Sequence, residues 1–107
     1  MLEYDECLLL VEYLNIKQIK FTHVHNEMYT KSWNQKMRAK KLGVSSGVPD
    51  YMMIVNGKML FIEMKRKKKS SLSENQKIWI EELNKLNNVY AYVCYGFDEA
   101  KDVIDKL

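Results

Sequence analysis

The sequence predicts an α/β fold, in which a mixed sheet of four main strands is flanked by helices in the order α-β-α-β-β-α-β-α. Three observations predict this fold class. Segments with apolar residues at helical spacing alternate with short segments rich in Val, Ile, Tyr and Phe. The dipeptide Asn56-Gly57 joins two apolar segments, which is typical of a β-hairpin. A strand, a helix and another strand follow in succession late in the chain, and this step indicates one parallel pair in the sheet.

The first half of the chain is predicted to contain two helices with a short strand between them. Residues 2–15 place apolar side chains from Cys7 to Leu14 on one stripe, and Glu3 lies one turn earlier on that stripe. Residues 19–25 alternate weakly between apolar and polar side chains, which indicates a strand. Residues 32–42 suit a basic helix, and the Ser, Gly and Pro residues of 44–49 predict a loop.

The second half is predicted to begin with a hairpin and to end with a strand between two helices. Tyr51–Val55 and Lys58–Lys65 are apolar at successive positions, so both strands are expected inside the sheet with cover on each face. Residues 73–87 are predicted to form a helix, Val89–Tyr95 a strand, and residues 97–107 an amphipathic helix. The expected buried positions of these two helices are Trp79, Ile80, Leu83, Leu86, Ala100, Val103, Ile104 and Leu107.

Length and composition indicate one compact domain over residues 1–107, without a linker or an internal repeat. The start of the chain lacks the features of a secretory signal, and no apolar stretch approaches the roughly 18–20 residues that cross a bilayer. We therefore expect an intracellular, cytoplasmic protein with no membrane partner. Cys7 and Cys94 lie far apart and form no CxxC pair, so the sequence does not support a zinc or redox motif.

The charges of the chain are distributed unevenly. Residues 28–69 contain eleven Lys or Arg and only two acids, a net charge of +9, whereas the remaining residues carry −6. This basic middle third favours a polyanionic partner such as a nucleic-acid backbone, although a solvated basic surface explains the charge equally well. Trp33 lies within the basic segment, where it can either stack on a base or pack in a core or an interface.

The Asn56-Gly57 turn sets the register of the predicted hairpin. If these residues form a two-residue turn, counting outward from it places Asp50 opposite Glu63. Opposed residues point to the same face of a sheet, with Cβ atoms roughly 4.5–5.5 Å apart. Lys65 lies two residues after Glu63 and therefore shares that face.

This carboxylate pair indicates a metal site. Two carboxylates opposed across a sheet repel each other, and Glu63 interrupts an apolar run, so its charge needs a partner. A divalent cation such as Mg²⁺ meets this need, because hard cations prefer carboxylate oxygens. Such a metal can activate water for phosphodiester hydrolysis, and Lys65 can position or deprotonate that water or stabilise the phosphate. The alternative is that Asp50 is a turn residue and Glu63 is solvated.

These residues resemble the PD-(D/E)XK nuclease signature, with Pro49-Asp50 as its first half and Glu63-Met64-Lys65 as its second. Almost the whole chain is similar to one family with this signature, VRR-NUC (virus-type replication-repair nuclease). The segments that carry the likeness are Glu3 in the first helix, residues 21–27 (FTHVHNE), residues 47–50 (GVPD), residues 62–65 (IEMK), residues 73–76 (SENQ) and residues 94–100 (CYGFDEA). The resemblance implies a restriction-endonuclease-like core. A glutamine that the family's first helix would carry is replaced by Cys7.

The resemblance also implies a role for each matching residue. The implied ligands of Mg²⁺ or Mn²⁺ are Asp50, Glu63, the backbone carbonyl of Met64 and, through water, Glu3. Lys65 would act on the attacking water, and Gln76 would orient Lys65 or the water. Because Ser73-x-x-Gln76 also matches a capping box, Gln76 has a structural alternative.

The substrate and the assembly are implied by the same resemblance. The chain is similar to the short standalone form of the family, often phage-encoded, which is associated with symmetric dimers that cut four-way (Holliday) junctions. We therefore expect a structure-specific DNA endonuclease of DNA repair that works as a homodimer without a small-molecule cofactor. Alternatives are action on flaps, forks or duplex DNA, a restriction-type or recombination nuclease, and a basic nucleic-acid-binding module without catalysis. The expected phosphate contacts are Lys36, Arg38, Lys40, Lys41, Arg66, Lys67, Lys68 and Lys69.

Overall fold

The computed structural model describes residues 3–24, 32–66 and 71–107 of the chain. Its elements are α1 (Glu3–Ile16), β1 (Lys20–His23), α2 (Trp33–Lys41), β2 (Tyr51–Val55), β3 (Lys58–Lys65), α3 (Glu74–Asn84), β4 (Val89–Tyr95) and α4 (Phe97–Lys106). This order confirms the predicted one, and three of the four strands have the predicted bounds. In the described part of the chain, no helix has the length and apolar character that a membrane span requires.

The four strands form a single sheet in the order β1-β2-β3-β4. β2 pairs antiparallel with both β1 and β3, whereas β3 and β4 are parallel, as the late strand-helix-strand step predicted. The hairpin closes with Val55 opposite Lys58, so the predicted register is confirmed. Asn56 and Gly57 both have positive φ, at 51° and 75°, which the right-handed twist of a two-residue hairpin turn requires.

One face of the sheet carries the hydrophobic core. Every second side chain of β2, and of β3 from Leu60 to Met64, points to this face and is buried, and α1 and α4 pack over it. The core residues are Leu10, Leu14, Tyr51, Met53, Val55, Leu60, Ile62, Met64, Cys94, Ala100 and Ile104. Complete burial of a Leu, Ile or Met side chain stabilises the fold by about 1.5–3 kcal/mol, so this face accounts for most of the hydrophobic stabilisation.

The opposite face of the sheet is covered only in part. α3 packs over β4, and its Trp79, Ile80 and Leu83 are half-buried rather than buried. Leu86 lies beyond the end of α3 and is 56% exposed, so the prediction of a buried position there was wrong. Ile54 on β2 is 53% exposed, which also corrects the prediction that β2 has cover on each side. The physical reason is position, because α3 packs on the edge strand β4, two strands away from β2.

A buried carboxylate links the two helices on the core face. Glu6 of α1 is 2% exposed, and its Oε2 accepts a hydrogen bond from the backbone N–H of Phe97 at 3.3 Å. Gly96, the N-cap residue of α4, offers no side-chain cap, so Glu6 supplies an acceptor and a favourable charge at that helix end. The N–H of Gly96 donates to the carbonyl of Lys65 at 3.0 Å, so the same turn also holds the end of β3.

Candidate active site

Two carboxyl groups meet where the β2–β3 hairpin opens. The ladder of paired residues ends with Tyr51 opposite Ile62, and Asp50 lies one position further along, toward Glu63. The Asp50 Oδ2 accepts a hydrogen bond from the backbone N–H of Met64 at 2.9 Å, which ties it to β3. The carboxyl groups of Asp50 and Glu63 lie close enough for each to shift the pKa of the other. The hairpin therefore places the two predicted residues side by side.

The electrostatics of this pair favour a bound proton or a cation. Glu63 is only 4% exposed, and burial raises its pKa to about 8; the charge of Asp50 adds to the rise and Lys65 opposes it. Burial also raises the pKa of Asp50, against the N–H of Met64 and the positive charges of His23 and Lys65. Without a cation, the pair retains a proton close to neutral pH. A divalent cation would take the place of that proton.

Lys65 lies beside the carboxylate pair, on the face that strand alternation assigned to it. Its Nζ is 3.8 Å from the Oε2 of Glu63, and its side chain is 16% exposed. The backbone of Lys65 is held by the N–H of Gly96, so the lysine stem starts from a fixed position. The ammonium group is thus next to the carboxylate but still within reach of a molecule from solution.

Gln76 makes two hydrogen bonds with its side-chain amide, one that completes the predicted capping box and one to Glu63. Its side-chain Oε1 accepts a hydrogen bond from the backbone N–H of Ser73 at 2.9 Å. Its backbone N–H donates to Ser73 Oγ at 3.2 Å, which completes a capping box at the start of α3. Its Nε2 donates to Glu63 Oε2 at 3.2 Å. The cap therefore fixes the amide with its NH₂ group directed at Glu63.

A tight contact sets the position of α3 against the loop that precedes Asp50. Gly47 has φ +90°, and a Cβ at this position would lie 2.7 Å from the backbone carbon of Asn75 and 2.8 Å from the nitrogen of Gln76. Only glycine accommodates both the left-handed backbone and the close approach. Gly47 thereby lets the loop and the first turn of α3 meet without a gap.

Two side-chain hydrogen bonds reinforce this loop-to-helix contact. Asn75 Nδ2 donates to Ser46 Oγ at 2.7 Å, and Trp79 Nε1 donates to Ser45 Oγ at 3.2 Å. The contribution of Ser45, Ser46 and Asn75 was not predicted, because serines in a loop give no signal of a partner 29 or 34 residues away. Together these contacts set where Gln76 stands relative to the carboxylate pair.

The Gly47 contact leads to a prediction about stability with a matched control. Gly43 has nearly the same φ, +89°, but a Cβ there meets nothing within 4 Å. Gly43→Ala is expected to lower the free energy of unfolding by about 1 kcal/mol through backbone strain. Gly47→Ala adds the clash with α3 and is expected to lower it by about 2–4 kcal/mol. Urea denaturation of both variants measures the difference, and equal losses would contradict the steric argument.

Glu3 lies near the pair without joining it directly. It is exposed at the start of α1, and its negative charge contributes to the raised pKa of Glu63. It lines a cleft of about 490 Å³ together with Cys7, His23 and Tyr51. Among residues 3–24, 32–66 and 71–107, no group of three or more His, Cys, Asp or Glu is arranged to hold a metal ion.

The pair alone still fits a hard divalent cation. Asp50 and Glu63 offer carboxylate oxygens, which Mg²⁺ and Mn²⁺ prefer. Mg²⁺ is commonly held by one or two carboxylates and keeps several of its waters, so it does not need a third carboxylate in direct contact. Burial is the main cause of the raised pKa of Glu63 and the charge of Asp50 adds to it, and a bound cation would oppose both effects.

The predicted phosphate-binding residues fall into two groups. Lys36, Arg38, Lys40 and Lys41 lie on α2, which leads directly into the loop before Asp50. All of these except the half-buried Lys36 are exposed. Arg66 is exposed immediately after Lys65, whereas Lys67, Lys68 and Lys69 lie outside the described residues. The described basic side chains thus flank the chain segments that lead into and out of the candidate site.

Comparisons with known proteins found a matching family model and a similar solved structure. The family model of the VRR-NUC domain matches residues 6–98, a segment that contains Asp50, Glu63, Lys65 and Gln76. A solved structure of a "VRR_NUC domain protein" is similar over 99% of this chain and 87% of its own, with a TM-score of 0.79 and 23% sequence identity. At that identity the likeness supports the fold. No curated protein matches the chain.

Proposed function

Because the chain belongs to the VRR-NUC family of nuclease domains, we propose that it is a metal-dependent endonuclease that hydrolyses phosphodiester bonds in branched DNA. One observation carries the proposal. A glutamate that is 4% exposed lies beside a second carboxyl group, a lysine and a glutamine amide at the open end of a hairpin. Such a group is costly in a stable core, whereas it suits a site that binds a cation and a phosphate.

The metal would be held by the two carboxylates. Asp50 and Glu63 are the proposed direct ligands of Mg²⁺ or Mn²⁺, joined by the backbone carbonyl of Met64, with Glu3 contributing through water. When bound, the ion would supply Lewis acidity towards the attacking water and the phosphate. The hydrogen bond from the Met64 N–H holds one Asp50 oxygen in place and so directs the rest of the carboxyl group towards Glu63.

Lys65 and Gln76 would prepare the attack on phosphorus. Lys65 would hold the attacking water through its Nζ or accept a proton from it, and its positive charge would stabilise negative charge that develops on the phosphate. Gln76 donates to Glu63 and so keeps that carboxylate in one orientation. Water would then form the new bond to phosphorus as it gives a proton to Lys65 or to solvent, and the bond to the leaving oxygen would break as that oxygen takes a proton from solvent.

The DNA would lie along the basic residues on either side of the site. We assign phosphate contacts to Lys36, Arg38, Lys40, Lys41, Arg66, Lys67, Lys68 and Lys69. This assignment explains why a chain with a net charge of +3 concentrates +9 between residues 28 and 69. Each lost contact should lower the slope of log affinity against log salt concentration by about 1.

We further propose that two copies of the chain act together on a four-way junction. One copy has one candidate site, whereas resolution of a junction requires two coordinated cuts on a symmetric substrate. A homodimer with a twofold axis supplies two sites in matching orientations.

Digestion of a DNA panel tests this function. Duplex, flap, fork and four-way junction substrates are incubated with Mg²⁺, with Mn²⁺ and with EDTA. We expect paired cuts near the branch with either metal and none with EDTA, and dimers by light scattering at micromolar concentration. Cleavage in EDTA, or binding to every substrate without cleavage, would overturn the nuclease mechanism. Equal cutting of duplex and junction, or a protein that stays monomeric with DNA, would overturn only the junction proposal.

A further inference from the structure

α2 presents a tryptophan to solvent. Trp33, the first residue of this helix, is 72% exposed, so the interpretation that it packs in the core is wrong. A large aromatic side chain on the surface forgoes the stabilisation that burial would give it. An exposed aromatic of this kind is typical of a surface that binds a partner.

The tryptophan shares one side of α2 with two lysines. Trp33, Met37, Lys40 and Lys41 recur at positions i, i+4, i+7 and i+8, so they form one stripe, called here the α2 outer face. All four side chains are exposed, whereas Ala39, on another side of the helix, is 1% exposed. The α2 outer face therefore points away from the body of the domain.

The charge of this helix limits the kind of partner. α2 has no acidic residue in its first turn and carries Arg38, Lys40 and Lys41 in its last turn. A partner must therefore offer negative charge beside a flat surface that an indole can cover. A second copy of the chain fits poorly, because a twofold contact through this face would bring its lysines against each other.

We propose that Trp33 stacks on an unpaired base of the branched DNA, while Lys40 and Lys41 bind phosphates of the same strand. Combined aromatic and cationic side chains are how proteins bind single-stranded nucleic acid. Seven residues separate Trp33 from Lys40, which is about 10 Å along a helix and about three stacked nucleotides along a strand. Bases inside a duplex already stack on each other, so this contact forms only at a branch or a frayed end. The inference rests on the proposed function and names the feature that selects branched DNA.

Binding measurements on matched variants test the stacking. The DNA is a fork with 2-aminopurine at the unpaired branch position, titrated in EDTA so that binding is measured without metal. Leu42→Ala is the control, because Leu42 is an apolar residue at the end of α2 that is 84% exposed. We expect Trp33→Ala to weaken fork binding by about 10-fold, since stacking on one base is worth about that much. Trp33→Phe and Leu42→Ala should stay close to the unchanged protein, and duplex binding should change by less than about twofold in all variants.

The fluorescence of the probe base separates stacking from charge. The unchanged protein and Trp33→Phe should quench 2-aminopurine on binding, and Trp33→Ala should not. If Trp33→Ala binds the fork and quenches the probe as strongly as the unchanged protein does, the inference is wrong, while the nuclease assignment stays intact. A dimer that dissociates in Trp33→Ala, with fork binding per chain unchanged, would instead make the face a protein interface. Quenching that depends on Trp33 in a protein that cuts no substrate would uphold the stacking and overturn the nuclease.

Discussion

Replacement of Lys65 with alanine is expected to reduce the rate of DNA cleavage by about 10²- to 10⁴-fold and to leave DNA affinity almost unchanged. The reason is position. Lys65 Nζ lies 3.8 Å from Glu63, and its side chain is only 16% exposed, so it contributes little to the surface that DNA meets. Glu63→Ala is expected to abolish cleavage to a similar degree, because it removes a proposed metal ligand. Single-turnover cleavage and gel-shift affinity at saturating Mg²⁺ measure the two effects separately.

Two exposed residues that make no hydrogen bond or ion pair with Asp50, Glu63 or Lys65 in the described part of the chain provide controls for these variants. Lys106→Ala at the end of α4 and Glu82→Ala on α3 remove the same charges from exposed positions and should leave cleavage within about twofold of the unchanged protein. If Lys65→Ala instead lost DNA binding, with an unchanged cleavage rate in the bound complex, Lys65 would be a phosphate contact rather than a catalytic residue.

The metal-free protein is expected to become less stable as the pH rises from about 5 to 8. Glu63 has a pKa of about 8 in the folded chain, against an ordinary value of 4.5 that applies once the chain unfolds. Between these values the folded form holds a proton that the unfolded form releases, so raising the pH favours unfolding. The stability that the Glu63 proton contributes is fully present below about pH 4.5 and is lost as the pH approaches 8. The loss is on the order of a few kcal/mol, and burial of the side chain leaves little solvent screening to reduce it.

Glu63→Gln isolates this effect. The glutamine is nearly the same size and still accepts the hydrogen bond from Gln76, but it does not titrate. Its stability in EDTA should vary much less between pH 5 and 8, and at pH 8 it should exceed that of the unchanged protein. Mg²⁺ added at pH 8 should stabilise the unchanged protein more than the variant, because the cation takes the place of the proton. Chemical denaturation at several pH values gives these free energies of unfolding, and parallel curves for the two proteins would contradict the assignment.

Local patterns were enough to predict the element order and the hairpin. The Asn56-Gly57 turn depends on two neighbouring residues with positive φ, and strand alternation then places Glu63 and Lys65 on one face. Counting residues outward from the same turn also places Asp50 opposite Glu63. The capping box of Ser73 and Gln76 is also local, since it spans a single helical turn.

Contacts between distant segments were decided only by the tertiary structure. Gln76 was predicted either to cap a helix or to serve the site, and in the fold one amide both caps α3 and donates to Glu63, because α3 crosses beside that residue. The buried Glu6 bonds a residue 91 positions away, and Gly47 meets Asn75 across the site. Hydrophobic periodicity describes which side of an element faces inward, but it does not specify what lies opposite. The exposure of Trp33 was also decided by the tertiary structure. The sequence around it predicts a basic helix, but only the packing of α2 shows that nothing in the described chain covers the indole.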